Sequence, residues 1–390
     1  ADIIGVWGLS AIITFPSAWL SEIFYSNFNF KKFFPEFFQR AKQHVVSISV
    51  WILCFITVIV YGLVSPVDYS QNESRKVALL QSNSDPWVGG TSTYRKDLNT
   101  LMRLSDEALA ENPDIDFVVW PETAFVPRIK WHYQMRTDRV RFELVNDLLT
   151  YLDSKDVPFL IGNDNGKMGY NRLGEYDILD YNAVLLFRPG ENVIPPNPEV
   201  YHKMHLVPFT EWFPFEKTFP KVYELLLNGD THMWEPGATP VVFDVAGLKV
   251  CTPICFEDTF GYIGRRFVNN GANAIVNMSN DAWSKSLACQ YQHLSMAVFR
   301  AVENRIPSMR STSSGQTVII DPNGKVLAMA EPFEETYLVG DVPVMDVSRK
   351  TIYTLFGDYI GYVFVFLAFS TILAGTVYKL YTKRRTVDTI

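Results

Sequence analysis

The chain has 390 residues, 48% hydrophobic and 14% aromatic, yet only 20% charged, against about 25% in ordinary soluble domains. A formal charge of -7, from 35 Lys and Arg against 42 Asp and Glu, gives no overall basic field for a polyanion and argues against a nucleic-acid partner. Cys54, Cys251, Cys255 and Cys289 are too few for a disulfide scaffold and form no Cys-x-x-Cys pair, which leaves a single reactive thiol open.

The apolar excess lies at the ends. Residues 3–24 are apolar apart from Glu22, with Pro16 expected to kink rather than forbid a span. Lys31, Lys32, Arg40 and Lys42 follow, and then residues 45–64 form an uncharged stretch long enough to cross a bilayer. A second such stretch covers 359–378, followed by Lys379, Lys383, Arg384 and Arg385. The basic clusters place both flanks in the cytoplasm and everything between the spans outside it. The expected domains are therefore a membrane segment over 1–66, an extracytoplasmic domain over 67–350, and a C-terminal span with a basic tail over 351–390. The apolar opening, without a basic n-region, suggests further spans upstream.

Between the spans, apolar runs at 77–83, 116–123, 157–163, 182–187, 248–258 and 273–280 read as buried strands. Helical spacing is visible at 92–111, 138–153 and 286–303, so the alternation indicates an α/β domain. The NDNG at 163–166 reads as a hairpin turn rather than a calcium loop, because no bidentate Glu follows at the required spacing. No phosphate-binding glycine motif follows a strand, and the six scattered histidines include no zinc-type pair, so neither a metal nor another cofactor is expected.

Three pieces carry reactive groups at expected strand ends, where ligands bind in open α/β sheets. They are WPET with Glu122, HKMHLVPF with Lys203, and CTPICFED with Cys255. Singly, each has an ordinary structural reading as a cap, a surface charge or a small core residue. Together they supply a nucleophile, a base and a cationic donor, the inventory of covalent acyl transfer.

WPET, KxHLVPFTEW (203–212), CFED, NxSNDAW (277–283), QH (292–293) and RAVENRIPSMRSTSSGQTVIID (300–321), in that order, resemble the nitrilase superfamily, and within it the membrane branch of bacterial apolipoprotein N-acyltransferases. The resemblance implies an α-β-β-α sandwich flanked by transmembrane helices. It also implies Glu122 as general base, Lys203 as oxyanion stabiliser and Cys255 as nucleophile. Glu211 is expected to orient Lys203, Glu257 to shape the pocket, and Trp87, Phe256 and Trp212 to meet substrate or lipid. Phe256 replaces a common Tyr, and Thr210 stands where Gly is usual.

The implied function moves a fatty acyl chain from a phospholipid, phosphatidylethanolamine by resemblance, through a Cys255 thioester to the α-amine of a diacylglyceryl-cysteine lipoprotein. The implied setting is the bacterial inner membrane, with the chain a monomer. Two other readings remain open: a membrane-tethered amidase of the same fold, and a non-catalytic envelope scaffold. A Cys/His pair using His205 or His293 would be the alternative chemistry to Lys203. Residues 212–227, rich in Phe and beginning at Trp212, are expected to form either a flap at a lipid interface or ordinary core.

Overall fold

The computed structural model describes residues 1–25, 28–171, 174, 176–227 and 233–387, with backbone alone over 382–387. It divides into two compact units, residues 1–67 with 351–390 and residues 68–350.

The terminal unit is helical, with long helices at Gly5–Phe24, Val45–Val64 and Tyr359–Val387. Among the described residues, Phe30–Val64 and Tyr359–Tyr381 are long and apolar enough to cross a membrane. The helix Gly5–Phe24 is not among these, yet it runs unbroken through Pro16. Proline has no N–H for the carbonyl of Ile12 four residues earlier. The Trp51 indole donates to that carbonyl at 2.7 Å, and Trp19 packs edge-on against Trp51 with ring centroids 5.3 Å apart. A second helix thus supplies the hydrogen bond that proline removes, which is how a proline is tolerated where water is scarce.

Residues 68–350 form the strands β1 (Ser74–Gln81), β2 (Phe117–Val119), β3 (Phe159–Tyr170), β4 (Tyr176–Phe187), β5 (Glu199–His202), β6 (Val242–Val245), β7 (Leu248–Cys251), β8 (Ala274–Ser279), β9 (Ser308–Thr312), β10 (Val318–Ile320), β11 (Val326–Met329) and β12 (Thr336–Pro343). One sheet has the order β12-β1-β2-β3-β4-β5 and the other β11-β10-β9-β8-β7-β6. In each sheet three adjacent strands run parallel, β1-β2-β3 and β7-β8-β9, with antiparallel strands outside them.

The parallel strands are buried on both faces, which is why they read as continuous apolar runs such as Val77–Leu80. Their crossovers are the helices Thr91–Glu111 and Arg139–Asp153 in one half, and Gly261–Asn269 and Leu287–Asn304 in the other. Leu98, Leu101, Leu104 and Ala108 form the buried stripe of the first helix at helical spacing. Between the sheets, the Ser311 hydroxyl of β9 donates to the Leu80 carbonyl of β1 at 2.8 Å. The nitrilase-like α-β-β-α layering is thus present.

Two local expectations need correction. The NDNG at 163–166 is not a turn: β3 runs straight through it, pairing Asn165 with Tyr181 and Gly166 with Asp180. Tertiary contacts override the turn propensity. The Asn163 amide donates to the carbonyls of Phe125 and Pro127, and a side chain at Gly166 would meet the Arg128 Cδ at 2.6 Å. The apolar run 248–258 is likewise not one strand. It leaves the sheet after Cys251 and enters a 3-10 turn over Cys255–Thr259.

Candidate active site

Each reactive side chain sits just past the C-terminal end of a strand. Glu122 is three residues beyond β2, Lys203 is next after β5, and Cys255 is four beyond β7. Two asparagines complete the arrangement, Asn182 within β4 through its side-chain amide and Asn280 next after β8 through its backbone N–H. Gly162 of β3 lets the WPET loop lie directly on the sheet, because a Cβ there would stand 2.2 Å from the Pro121 carbonyl oxygen and 2.8 Å from the Glu122 Cα.

Lys203 is wholly buried, a position an unpaired ammonium cannot hold. Its Nζ donates to Glu211 Oε1 at 2.7 Å and lies 3.6 Å from Glu122 Oε1. Burial disfavours its charge, but the carboxylates of Glu122 and Glu211 outweigh burial and hold the ammonium above its ordinary range. Glu211 also accepts the Val207 N–H at 2.9 Å, which fixes the carboxylate that orients Lys203.

Glu122 accepts from the Asn182 amide on Oε1 and from the Asn280 N–H on Oε2, both at 2.8 Å. Asn182 also accepts the Lys203 backbone N–H at 2.9 Å, so one strand residue registers base and cation together. Burial raises the Glu122 pKa, against the pull of Lys203 and with a smaller push from Glu211. A carboxylate raised in this way is a stronger proton acceptor than an ordinary one.

Cys255 adopts φ +50°, in the left-handed region that side chains other than Gly rarely enter. Its carbonyl accepts from the Asn277 amide at 3.3 Å. Burial and the Glu122 carboxylate push its thiol well above the usual value, while Lys203 pulls the other way. The resting thiol is therefore neutral at pH 7 and requires a base to attack.

Glu257 ties the nucleophile turn to the lysine loop. Its carboxylate, wholly buried, accepts from the Tyr201 hydroxyl at 2.8 Å, from the N–H groups of Met204 and His205 at 2.8 and 2.9 Å, and from the Ile254 N–H at 2.8 Å. It bridges segments fifty residues apart that carry Lys203 and Cys255, and so acts as a positioning residue.

Residues 76–350 match the carbon-nitrogen hydrolase family. Apolipoprotein N-acyltransferase 1 of Treponema denticola is 48% identical over 368 residues, which cover 93% of this chain and 67% of that protein. The protein of the same name from Treponema pallidum is 48% identical over 350 residues, covering 90% and 64%. The chain belongs to the apolipoprotein N-acyltransferase branch of the carbon-nitrogen hydrolase family. It spans about two thirds of the length of those relatives. A carbon-nitrogen hydrolase from Helicobacter pylori G27 superposes with a TM-score of 0.50 at 14% identity, over 74% of this chain and 94% of that one, a likeness of fold alone.

In this branch member a second buried cluster lies against the nucleophile turn. Arg310 of β9 donates to Asp258 at 2.5 Å and to Asp281 at 2.7 Å, and His293 bridges the same carboxylates at 2.9 and 3.1 Å. Sequence reading singled out neither Arg310 nor Asp281 as functional, and Asn182 also escaped it. The signal available was the motif text itself, CFED, NDAW, QH and the Arg of SMRST, whose four residues Asp258, Asp281, His293 and Arg310 meet only through the fold.

His293 fits a structural role rather than that of a base for Cys255, because Nε2 meets Asp258 while Nδ1 meets both Asp281 and the Arg310 guanidinium. Burial and Arg310 oppose its protonation, but Asp258 and Asp281 outweigh them and push the imidazole up to about 9. A folded-state value above the ordinary 6.5 contributes stability that is whole below pH 6.5 and is lost as pH rises through about 9. We expect a loss of about 3 kcal/mol across that window, since each pKa unit is worth about 1.4 kcal/mol. Melting of the detergent-solubilised chain at pH 6 and pH 9.5 should show it, and His293→Gln should flatten the slope. A slope that persisted in His293→Gln would assign the titration elsewhere.

The aromatic residues expected at the substrate are more scattered. Trp87 is 62% exposed on the loop after β1, its backbone N–H donating to Asp85 at 3.0 Å. Phe256 is partly exposed and packs edge-on against Phe260, with centroids 4.8 Å apart. In the 212–227 segment Trp212 is partly buried, and Phe213 turns inward and stacks on Tyr223. Phe215, Phe219 and Leu225 face outward with Phe209 just before them. The segment is therefore neither all core nor led by Trp212.

Proposed function

We propose that the chain transfers a fatty acyl group from a phospholipid to the α-amine of a diacylglyceryl-cysteine lipoprotein, with Cys255 as nucleophile, Glu122 as general base and Lys203 as oxyanion donor. The observation that carries this reading is the buried Lys203 ammonium, held by Glu211 at 2.7 Å and set 3.6 Å from the Glu122 carboxylate. The names of the Treponema relatives support the acceptor class, an apolipoprotein acylated on nitrogen.

The steps follow from the geometry. Glu122 takes the thiol proton, Sγ bonds to the ester carbonyl carbon, and the developing oxyanion is stabilised by the fixed ammonium of Lys203. The carbon–oxygen bond to glycerol breaks, Glu122 returns the proton to that oxygen, and lysophospholipid departs. The neutral amine of the acceptor then attacks the thioester and gives its proton to Glu122. The carbon–sulfur bond breaks and the thiolate is reprotonated, which restores the starting state.

The donor we propose is phosphatidylethanolamine and the acting species a monomer in the bacterial inner membrane, with no metal or other cofactor. Three helices, at about 3–24, 45–64 and 359–378, are proposed to span it, with residues 67–350 outside the cytoplasm. Protease added to spheroplasts should then cleave residues 67–350. Cleavage seen only after the membrane is opened would reverse the orientation.

The reaction is tested with a phospholipid labelled in its acyl chain. In the presence of a diacylglyceryl-cysteine peptide the label should move to the peptide as a hydroxylamine-resistant amide. Rapid release of label as free fatty acid, unaffected by the peptide, would favour a water-using amidase instead.

A further inference from the structure

The end of β8 runs beside the segment that leads into the nucleophile turn. Met278 pairs in parallel register with Ile254, which sets Ser279 level with Cys255. Alternate side chains of a strand share a face, so Ser279 lies on the side where the Asn277 amide reaches the carbonyls of Pro253 and Cys255, at 3.0 and 3.3 Å. The next N–H, that of Asn280, holds the Glu122 carboxylate at 2.8 Å. Ser279 thus stands between the anchors of nucleophile and base, yet has no part in the steps above.

Ser279 is wholly buried, and its hydroxyl donates to Asp281 Oδ1 at 2.9 Å. Asp281 is held independently of it: Oδ1 also meets His293 Nδ1 at 3.1 Å, and Oδ2 accepts from Arg310 at 2.7 Å. A serine hydroxyl has one proton and two lone pairs and rotates about its C–O bond. This one can therefore rest its proton on the carboxylate or turn it to a neighbour that has become charged, without losing it. The charged groups bearing on the Cys255 thiol are Glu122 after β2, Lys203 after β5 and Asp281 after β8, with Arg310 of β9, His293 and Asp258 behind Asp281. Burial, Glu122 and Asp281 disfavour the thiolate, whereas Lys203 and a hydrogen bond from Ser279 favour it.

We propose that Ser279 is a further catalytic residue, whose hydroxyl rests on Asp281 while Cys255 is a thiol and turns to the sulfur once Glu122 has taken the thiol proton. The inference rests on the acyl-transfer reading above. The proton that Glu122 carries comes from sulfur and none leaves Ser279, so the hydroxyl swings back when sulfur bonds to the acyl carbon. It meets the thiolate again when the amine displaces it. The two anions of the reaction then have separate donors, the Lys203 ammonium for the carbonyl oxygen and the Ser279 hydroxyl for sulfur.

The test reads the sulfur directly, in the full chain reconstituted in phosphatidylethanolamine vesicles. The rate of iodoacetamide alkylation against pH, followed by mass spectrometry on the peptide containing Cys255, reports the thiolate fraction. Ser279→Ala removes one oxygen and leaves Arg310 and His293 on Asp281, so folding should survive. It should slow alkylation of Cys255 about tenfold at each pH below the thiol pKa, the worth of one hydrogen bond to a charged group. Lysophospholipid release should fall by a similar factor in kcat, with KM steady. Ser279→Thr keeps the hydroxyl and should recover most of both. A hydroxyl that only braces Asp281 would instead lower the melting temperature in Ser279→Ala and leave the alkylation profile of Cys255 at that of the parent, which would overturn the proposal. Because alkylation needs no acyl donor, the two readings separate. A parent that takes up no acyl group at Cys255 would sink the acyl-transfer reading, and this inference with it. An acylated parent matched by Ser279→Ala in both acylation and alkylation would overturn this inference alone.

Discussion

Glu122→Gln is expected to slow acylation of Cys255 by about 10²- to 10⁴-fold, the usual share of a positioned proton acceptor. The amide keeps the volume and one of the two acceptors that Asn182 and Asn280 require, so folding should survive. Lys203→Met should cost a comparable factor, because the oxyanion loses its fixed positive partner. It should also lower stability, since Glu122 and Glu211 are left without the ammonium between them. His205→Ala should retain most activity, because its ring meets the Tyr262 hydroxyl at 2.7 Å. A greater loss in His205→Ala than in Glu122→Gln would overturn the assignment. The parent enzyme should lose activity as pH falls through the Glu122 pKa, which burial lifts above the ordinary 4.5, because only the carboxylate form accepts the thiol proton.

The second large effect is expected at Arg310. Arg310→Met removes the cation that joins Asp258 to Asp281 and leaves two buried carboxylates with His293 and, at Asp281, the Ser279 hydroxyl. Breaking a buried pair from one side costs about 3–5 kcal/mol, so the melting temperature should fall sharply. Asp258 belongs to the turn that starts at Cys255, and its loosening should also reduce acylation in the fraction that remains folded. Conservative rescue by Lys should be poor, because a single ammonium cannot reproduce the guanidinium fork that reaches both carboxylates. Full stability and activity in Arg310→Met would show that the cluster plays no positioning role.

What the sequence disclosed divides by physical cause. The parallel strands β1, β2 and β8 were legible because burial on both faces makes them largely apolar runs, and the crossover helices Thr91–Glu111, Arg139–Asp153 and Leu287–Asn304 because their stripes repeat at helical spacing, whereas the nine-residue helix Gly261–Asn269 was not read. The antiparallel outer strands β6, β11 and β12 were not, because their mixture of exposed and buried residues lacks that signature. The NDNG error arose where side-chain hydrogen bonds and the packing of Arg128 hold a strand through residues that locally favour a turn. Within the site, Glu122, Lys203 and Cys255 were visible as reactive groups at strand ends. Asn182 entered only as the polar opening of an apolar run, and Arg310, Asp258, Asp281 and His293 become one object only when β9, the nucleophile turn and the segment after β8 are folded together.

The central claim is that Cys255 carries the acyl group between donor and acceptor. Incubation of the full chain with a labelled-acyl phospholipid, followed by proteolysis and mass spectrometry, tests it directly. The account predicts a hydroxylamine-sensitive acyl thioester on the peptide containing Cys255, stable without acceptor, discharged by a diacylglyceryl-cysteine peptide and absent from Cys255→Ala. Label found instead on Cys289, or turnover that persists in Cys255→Ala, would contradict it.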